Sequence, residues 1–260
     1  YHAINSLYDN YSCSVRINGM FTDPFTISNG LKQGCVISPT LFKIYINDMI
    51  TDINNLGKGI NTELGRTSLL MFADDIVMMA ENEEDLQDML AAVNSWCIKW
   101  RLNINNTKTQ IVHYRQKSIG RSKFNSKCGE SVLNYSEKYK YLGVWMHEHL
   151  DMSVTVSEVS KSATRALGKV ISIFKSCGGT SHEIFTKLFN TAVLPVILYS
   201  AGIWGLRNFP KLNGILNKAG RFFLGLPPKA PTTAVQGEMG WNSISYHTKL
   251  QVIRLYSRIK

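Results

Sequence analysis

The chain is predicted to adopt an α+β fold, and three features of its 260 residues carry that prediction. Short alternating segments joined by turn residues recur through the first half. Stripes of apolar residues at helical spacing, with capping residues ahead of them, interrupt those segments. Beyond about residue 153 the strands give way to basic amphipathic helices. The expected division is therefore 1–150, an antiparallel sheet with helices, and 151–260, helices alone. With 44% hydrophobic residues the chain can bury a sizeable core, as one large domain or two of ordinary size.

Residues 11–17 read as a strand, Asn18-Gly19 as a two-residue hairpin turn and residues 20–27 as the return. Pro24 marks that return as irregular or at an edge. The loop Asn29-Gly30-Leu31-Lys32-Gln33-Gly34-Cys35 leads to Ser38-Pro39, where Ser as N-cap and Pro at the first helical position start a helix. Leu41, Phe42, Tyr45, Ile46, Met49 and Ile50 form its apolar face. A glycine loop feeding a helix N-terminus can receive phosphate or a nucleotide. On that signal alone, plain loop-to-helix structure is the better account. Residues 54–66 read as a polar loop.

The stretch Leu69-Leu70-Met71-Phe72-Ala73-Asp74-Asp75-Ile76-Val77-Met78 follows, with two adjacent carboxylates inside an apolar run. A continuous strand would aim one of them at the core, which is costly without a cation or hydrogen bonds. A hairpin turning at Ala73-Asp74-Asp75 brings both to a shared tip, where their oxygens suit a hard divalent ion. Taken by itself, an ordinary solvated Asp turn explains the stretch equally well. Asn82 then caps a helix with Glu83, Glu84 and Asp85 in its first turn, acids that suit the macrodipole and solvent. Its buried stripe runs from Leu86 through Trp96 to Trp100.

Residues 107–114 alternate like a half-buried strand with Lys108 at its entry, and 115–127 form a basic loop. Further strands are expected near 131–135 and 139–146. Helices follow from 153 to Cys177-Gly178-Gly179, from Thr180 or Ser181 to a kink or break at Pro195, over 212–223, and over 248–258. Lys161, Arg165 and Lys169 accompany the apolar stripe of the first of these.

The net charge of +10 is uneven. Residues 1–110 hold 8 Lys+Arg against 12 Asp+Glu, and residues 111–260 hold 21 against 7, so the second part carries +14. A folded basic surface of this kind favours a polyanion, nucleic acid before anionic membrane. Five scattered cysteines without a CxxC pair argue against a zinc cluster or disulfide framework. No apolar run is long enough to span a membrane, so no membrane partner is expected. The chain opens on Tyr1 and reads as a piece of a longer polypeptide.

Taken together, the order resembles the palm and thumb of reverse transcriptases, most closely those of non-LTR (LINE-type) retrotransposons. Gly30-Leu31-Lys32-Gln33-Gly34-Cys35 with Ser38-Pro39 and Leu41-Phe42 resembles motif B, and Phe72-Ala73-Asp74-Asp75 the catalytic motif C, with Phe where Tyr is commoner. Leu102-Asn103, Asn105 and Lys108-Thr109 resemble motif D, and Tyr141-Leu142-Gly143-Val144 motif E, the primer grip. Residues 226–240 resemble the region after the thumb.

The resemblance implies templated DNA synthesis from deoxynucleoside triphosphates on a DNA primer and an RNA template, with two Mg²⁺ ions (Mn²⁺ as substitute). Asp74 and Asp75 are the implied metal ligands. Gln33, Gly34, Phe72 and Ala73 are implied to line the template and nucleotide pocket. Lys108 is the implied pyrophosphate contact, although a surface Lys explains it as well. Tyr141, Leu142 and Gly143 are implied to position the primer end, against a competing account as hairpin packing. Lys161, Arg165 and Lys169 are implied to hold the nucleic-acid backbone.

The resemblance also implies further domains of one polyprotein and a nuclear location. Motif A, with its metal-binding Asp, and the fingers find no match here. The expectation is therefore a catalytic parent and an inactive piece. The rival is a decayed element acting as a nucleic-acid-binding module.

Overall fold

The computed structural model describes residues 2–9, 11–27, 30–63 and 65–259; Asn29 of the glycine loop lies outside them. In chain order the elements begin with α1 (His2–Tyr8), β1 (Ser12–Cys13), β2 (Arg16–Ile17), β3 (Met20–Phe21), β4 (Phe25–Thr26) and α2 (Ser38–Asn55). Four strands follow, β5 (Ile60–Thr62), β6 (Gly65–Thr67), β7 (Leu69–Phe72) and β8 (Asp75–Met78), then α3 (Glu83–Lys99). Next come β9 (Gln110–Ile111), β10 (Lys127–Cys128), β11 (Ser131–Val132), β12 (Asn134–Tyr135), β13 (Lys138–Tyr141) and β14 (Val144–His147). The remainder is helical: α4 (Met152–Ser176), α5 (His182–Leu188), a π turn (Phe189–Val193), α6 (Leu194–Leu198), α7 (Ala201–Trp204), α8 (Pro210–Phe223), α9 (Thr232–Met239) and α10 (Ile244–Ile259). Short antiparallel strands mixed with helices suit the expected α+β class. The chain divides into two compact units, 1–109 with 123–134, and 110–122 with 135–260.

In the first unit, α2 and α3 bury Ile46, Met49 and Ile53 against Met89, Val93, Trp96 and Cys97. Leu69, Met71, Ile76 and Met78 of β7 and β8 pack on the same cluster. Asp48 of α2 accepts a hydrogen bond from the Trp96 indole at 3.0 Å, which gives that acid a structural task. Asn82 caps α3, its side chain accepting from the Asp85 amide at 2.8 Å. Of the first-turn acids, Glu84 is exposed as expected, while Asp85 pairs with Lys58, as does exposed Asp88 in the next turn, and Lys58 holds the Asp85 carboxyl below its ordinary pKa.

Four local readings are corrected. Residues 54–66 complete α2 and then form the β5–β6 hairpin, because Gly59 adopts φ +138° and lets the chain fold back on Thr67 and Ser68. The strand expected at 11–17 is two pieces, β1 pairing with β4 and β2 with β3, around the Asn18-Gly19 turn. Ser38 does not cap α2; Ile37 holds that position, and the Ser38 hydroxyl instead donates to the Lys32 carbonyl at 2.8 Å. The strand expected over 107–114 is confined to Gln110–Ile111, since Asn105 organises 107–109 into a turn.

The second unit is built on helices. Val156, Ala163, Leu167 and Val170 of α4 bury against Phe185, Phe189, Val193 and Ile197. Leu212, Ile215, Leu216 and Ala219 of α8 complete that core. Trp241 stacks on Phe189 with ring centroids 4.7 Å apart. Pro195 falls in the first turn of α6, and the helix runs on from α5 through the π turn into α6, so the irregularity expected at Pro195 is that π turn and not a break. Helices α7 and α9 are too short to show a period in the sequence. The β13–β14 hairpin and α4 are tied by the Thr155 hydroxyl, which donates to the Trp145 carbonyl at 2.6 Å.

Candidate active site

The acidic stretch folds as the expected hairpin, with a tighter turn. Phe72 pairs with Asp75, leaving only Ala73 and Asp74 as the connecting residues. Directly opposed residues share a face, so Leu70, Phe72, Asp75 and Val77 lie on one side and Leu69, Met71, Ile76 and Met78 on the other. The second set packs on the core, and the first is open: Phe72 is 63% exposed. This register answers the conflict posed by two adjacent acids in an apolar run. Asp74 is at the turn, and Asp75 opens the return strand on its solvent face. Ala73 adopts φ +54°, the left-handed conformation that two-residue hairpins require and that an alanine takes only with strain.

Gly34 adopts φ +80°, a second position where backbone shape needs glycine. The glycine loop is held by its own turn, with the Cys35 amide donating to the Lys32 carbonyl at 3.3 Å and the Ser38 amide to the Cys35 carbonyl at 3.3 Å. The Tyr8 and Ser38 hydroxyls share a hydrogen bond of 3.0 Å, so α1 braces the loop. The Lys32 ammonium lies 4.4 Å from the centroid of Tyr11. The backbone N–H of Ile37 stabilises the Cys35 thiolate and lowers its pKa.

These two pieces meet in one cleft of about 1180 Å³, whose walls include Gln33, Gly34, Cys35, Phe72, Ala73 and Asp74. Five of the residues singled out from sequence are thus brought together, from segments some forty residues apart. Asp75 borders the same hairpin without lining the cleft. Lys32 and Lys43 line it too, and the sequence reading missed both as site residues. The signal for Lys43 was available: it stands four residues after Pro39 and four before Asn47, on one face of the first turns of α2.

Among the described residues, no three His, Cys, Asp or Glu side chains converge on a metal position, and neither Asp74 nor Asp75 makes an ion pair. The available donors are two hard, solvent-facing carboxylates. Such a pair fits Mg²⁺, which keeps several waters and commonly takes one or two carboxylates with substrate phosphates.

The other expected residues fall elsewhere. Lys108 sits on the turn organised by Asn105, whose side chain accepts from the Lys108 amide at 3.2 Å. In the second unit, Tyr141 pairs with Val144, leaving Leu142-Gly143 as a two-residue turn with φ +44° and +83°. Lys161, Arg165 and Lys169 lie on the exposed face of α4, opposite its buried stripe. Lys161 pairs with Glu158 at 2.8 Å, and Arg165 donates to Ser162 at 3.0 Å. Sequence reasoning missed one buried electrostatic centre here. Glu148, 6% exposed, binds Arg115 at 2.8 Å and Arg121 at 2.7 Å, and Arg115 above all lowers its pKa to about 2.

Residues 2–146 match the model of the reverse transcriptase (RNA-dependent DNA polymerase) family. Among curated proteins, the chain is 25% identical over 221 residues to the RNA-directed DNA polymerase from mobile element jockey of Drosophila funebris, covering 83% of this chain and 24% of that protein. It is 23% identical over 256 residues to the probable RNA-directed DNA polymerase from transposon X-element of Drosophila melanogaster, covering 92% and 27%. Over 149 residues it is 27% identical to the Pol polyprotein of the R2 retrotransposable element of Popillia japonica, covering 54% and 24%. The chain thus spans about a quarter of the length of these relatives. A family match over more than half its residues, on the segments that build the cleft, shows that the chain belongs to the reverse transcriptases, and its relatives place it with the non-LTR, LINE-type members.

Proposed function

We propose that the chain forms the palm and thumb of a polymerase that extends a DNA primer on an RNA template. The observation that carries this reading is the single cleft joining the Gln33-Gly34 loop to the Phe72–Asp74 hairpin. Asp74 and Asp75 would hold divalent metal, and Asp74 faces the substrate. When bound, two such ions activate a nucleophilic hydroxyl and offset charge on the leaving oxygens. The chain's own residues supply position and field. Lys32 and Lys43, with the positive end of the α2 dipole, give the cleft wall an attraction for a triphosphate. Gln33 offers an amide to the template base or the incoming nucleotide, and exposed Phe72 an aromatic face beside the hairpin turn.

Residues 1–150 act as palm and 151–260 as thumb in this reading. The Leu142-Gly143 turn positions the primer end, and Lys108 contacts pyrophosphate. Lys161, Arg165 and Lys169 bind phosphates without regard to sequence. Further domains of one polyprotein, and a nuclear site of action, belong to the same proposal; among the described residues no helix is long and apolar enough to cross a membrane. The described acids supply only two carboxylates to the metal site, so this chain by itself is expected to lack activity.

Primer extension on an RNA template with Mg²⁺, by this chain and by a longer protein containing it, tests the reading. The longer protein should extend, and Asp74→Asn should abolish extension. Extension that survives Asp74→Asn overturns the assignment. A longer protein that binds primer–template with steep salt dependence yet never extends would favour the decayed, binding-only module.

A further inference from the structure

We propose that Tyr199 is a positioning residue for the Leu142-Gly143 turn, fixing from the helical core the hairpin end that would hold the primer terminus. The inference rests on the primer-grip reading given above. Tyr199 ends α6, and Ser200 after it adopts φ +53°, so the chain leaves the helix for two residues before α7 begins. That break turns the tyrosine away from the core. The Tyr199 hydroxyl donates to the Leu142 carbonyl at 2.5 Å. Its ring lies over Gly143, where an added Cβ would stand 2.7 Å from Tyr199 Cε1.

Three points separate this contact from ordinary packing. Tyr199 is 51% exposed, so apolar burial does not explain its place. Leu142 is held at φ +44°, a conformation that the two-residue turn requires and that costs a side-chain-bearing residue unless a neighbour helps to hold it. The tyrosine is such a neighbour, bonded to the carbonyl of the strained residue itself. Finally, the break is anchored from behind: the indole of Trp204, 2% exposed, donates to the Tyr199 carbonyl at 3.2 Å. A continuous path therefore runs from the buried wall of Ile197, Ala201 and Trp204 to the apex of the β13–β14 hairpin.

The consequence is positional. A turn free to rock about its two strands would present a primer end loosely. One bonded to the helical core would present it at a set height. Tyr199 would contact the turn and leave the nucleic acid to other groups, so its loss should scatter the primer end while leaving duplex affinity intact.

The test uses the 260-residue chain with an RNA–DNA primer–template whose last primer nucleotide is a photoreactive thiothymidine. Cross-links are mapped by mass spectrometry, and duplex affinity is read in parallel by fluorescence anisotropy. In the wild type the terminal nucleotide should cross-link within residues 141–144. Tyr199→Phe keeps the ring and loses the hydrogen bond; it should lower that cross-link about fivefold, the factor one ordinary hydrogen bond represents. Tyr199→Ala should lower it further. Affinity should stay within about twofold throughout, because phosphate contacts dominate it.

If the wild type cross-links at the turn and the variants do so equally, the positioning role is overturned and the primer-grip reading stands. If the wild type does not cross-link there, the primer-grip reading falls and the inference with it. Should Tyr199→Ala fail to fold by circular dichroism, Tyr199→Phe decides the matter.

Discussion

Replacing Lys161, Arg165 and Lys169 together by Ala should flatten the salt dependence of nucleic-acid binding by an amount that follows from helix geometry. The three residues are four apart on α4 and exposed. Four residues rise about 6 Å, so the three cations span about 12 Å with a drift of about 80° around the axis. A strand carries one phosphate per about 3.4 Å of duplex axis, so the row can engage three separate phosphates. Each contact contributes about 0.9 to the slope of log K against log salt, or about 3.5-fold in affinity between about 50 and about 200 mM. The triple variant should therefore lose about 2.7 from the slope and about 40-fold of salt sensitivity over that window. Lys161→Ala alone should cost least, because Glu158 already lies 2.8 Å from its ammonium. Fluorescence anisotropy of a labelled RNA–DNA duplex across a salt series reads the slope directly. A triple variant with the wild-type slope would refute α4 as the backbone-binding face.

Further outcomes follow from the same structure. Glu148 has its pKa lowered from 4.5 to about 2, so its stabilising pairing with Arg115 and Arg121 is complete above about pH 4.5 and is lost as pH falls toward 2. Thermal midpoints should fall more steeply over that window in the wild type than in Glu148→Gln; parallel curves would show that the pairing has no net role. Phe185, fully buried against Phe223 and Trp241, should cost about 3–5 kcal/mol on replacement by Ala, read by urea denaturation. Asn82→Ala removes the acceptor for the Asp85 amide and should cost about 1 kcal/mol, whereas Asn82→Ser should recover most of it.

The glycine loop shows how far local reasoning reaches. Its glycines and Pro39 announce a turn and a helix start, and both occur, since φ preferences act within a few residues. The role of Ser38 was not legible. Its hydroxyl could cap the helix or hold the loop, and the choice fell to the Lys32 carbonyl and to Tyr8, thirty residues away. Residues 54–66 fail as a loop reading for a related reason: strands of three residues are too short to show a period, and their pairing is decided by partners.

The amino-acid sequence by itself determined the hairpin at Asp74 and Asp75, the helices on either side of it, the Asn82 cap of α3 and the basic character of α4. Each rests on nearest-neighbour geometry or on the period of a single element. Only the tertiary structure decided that the glycine loop and Asp74 share one cleft, that Asp48 serves Trp96, that Glu148 gathers two arginines and that Tyr199 holds Leu142. Those pairings join residues about thirty to sixty apart, and no periodicity within one element encodes which distant side chain will complete a hydrogen bond.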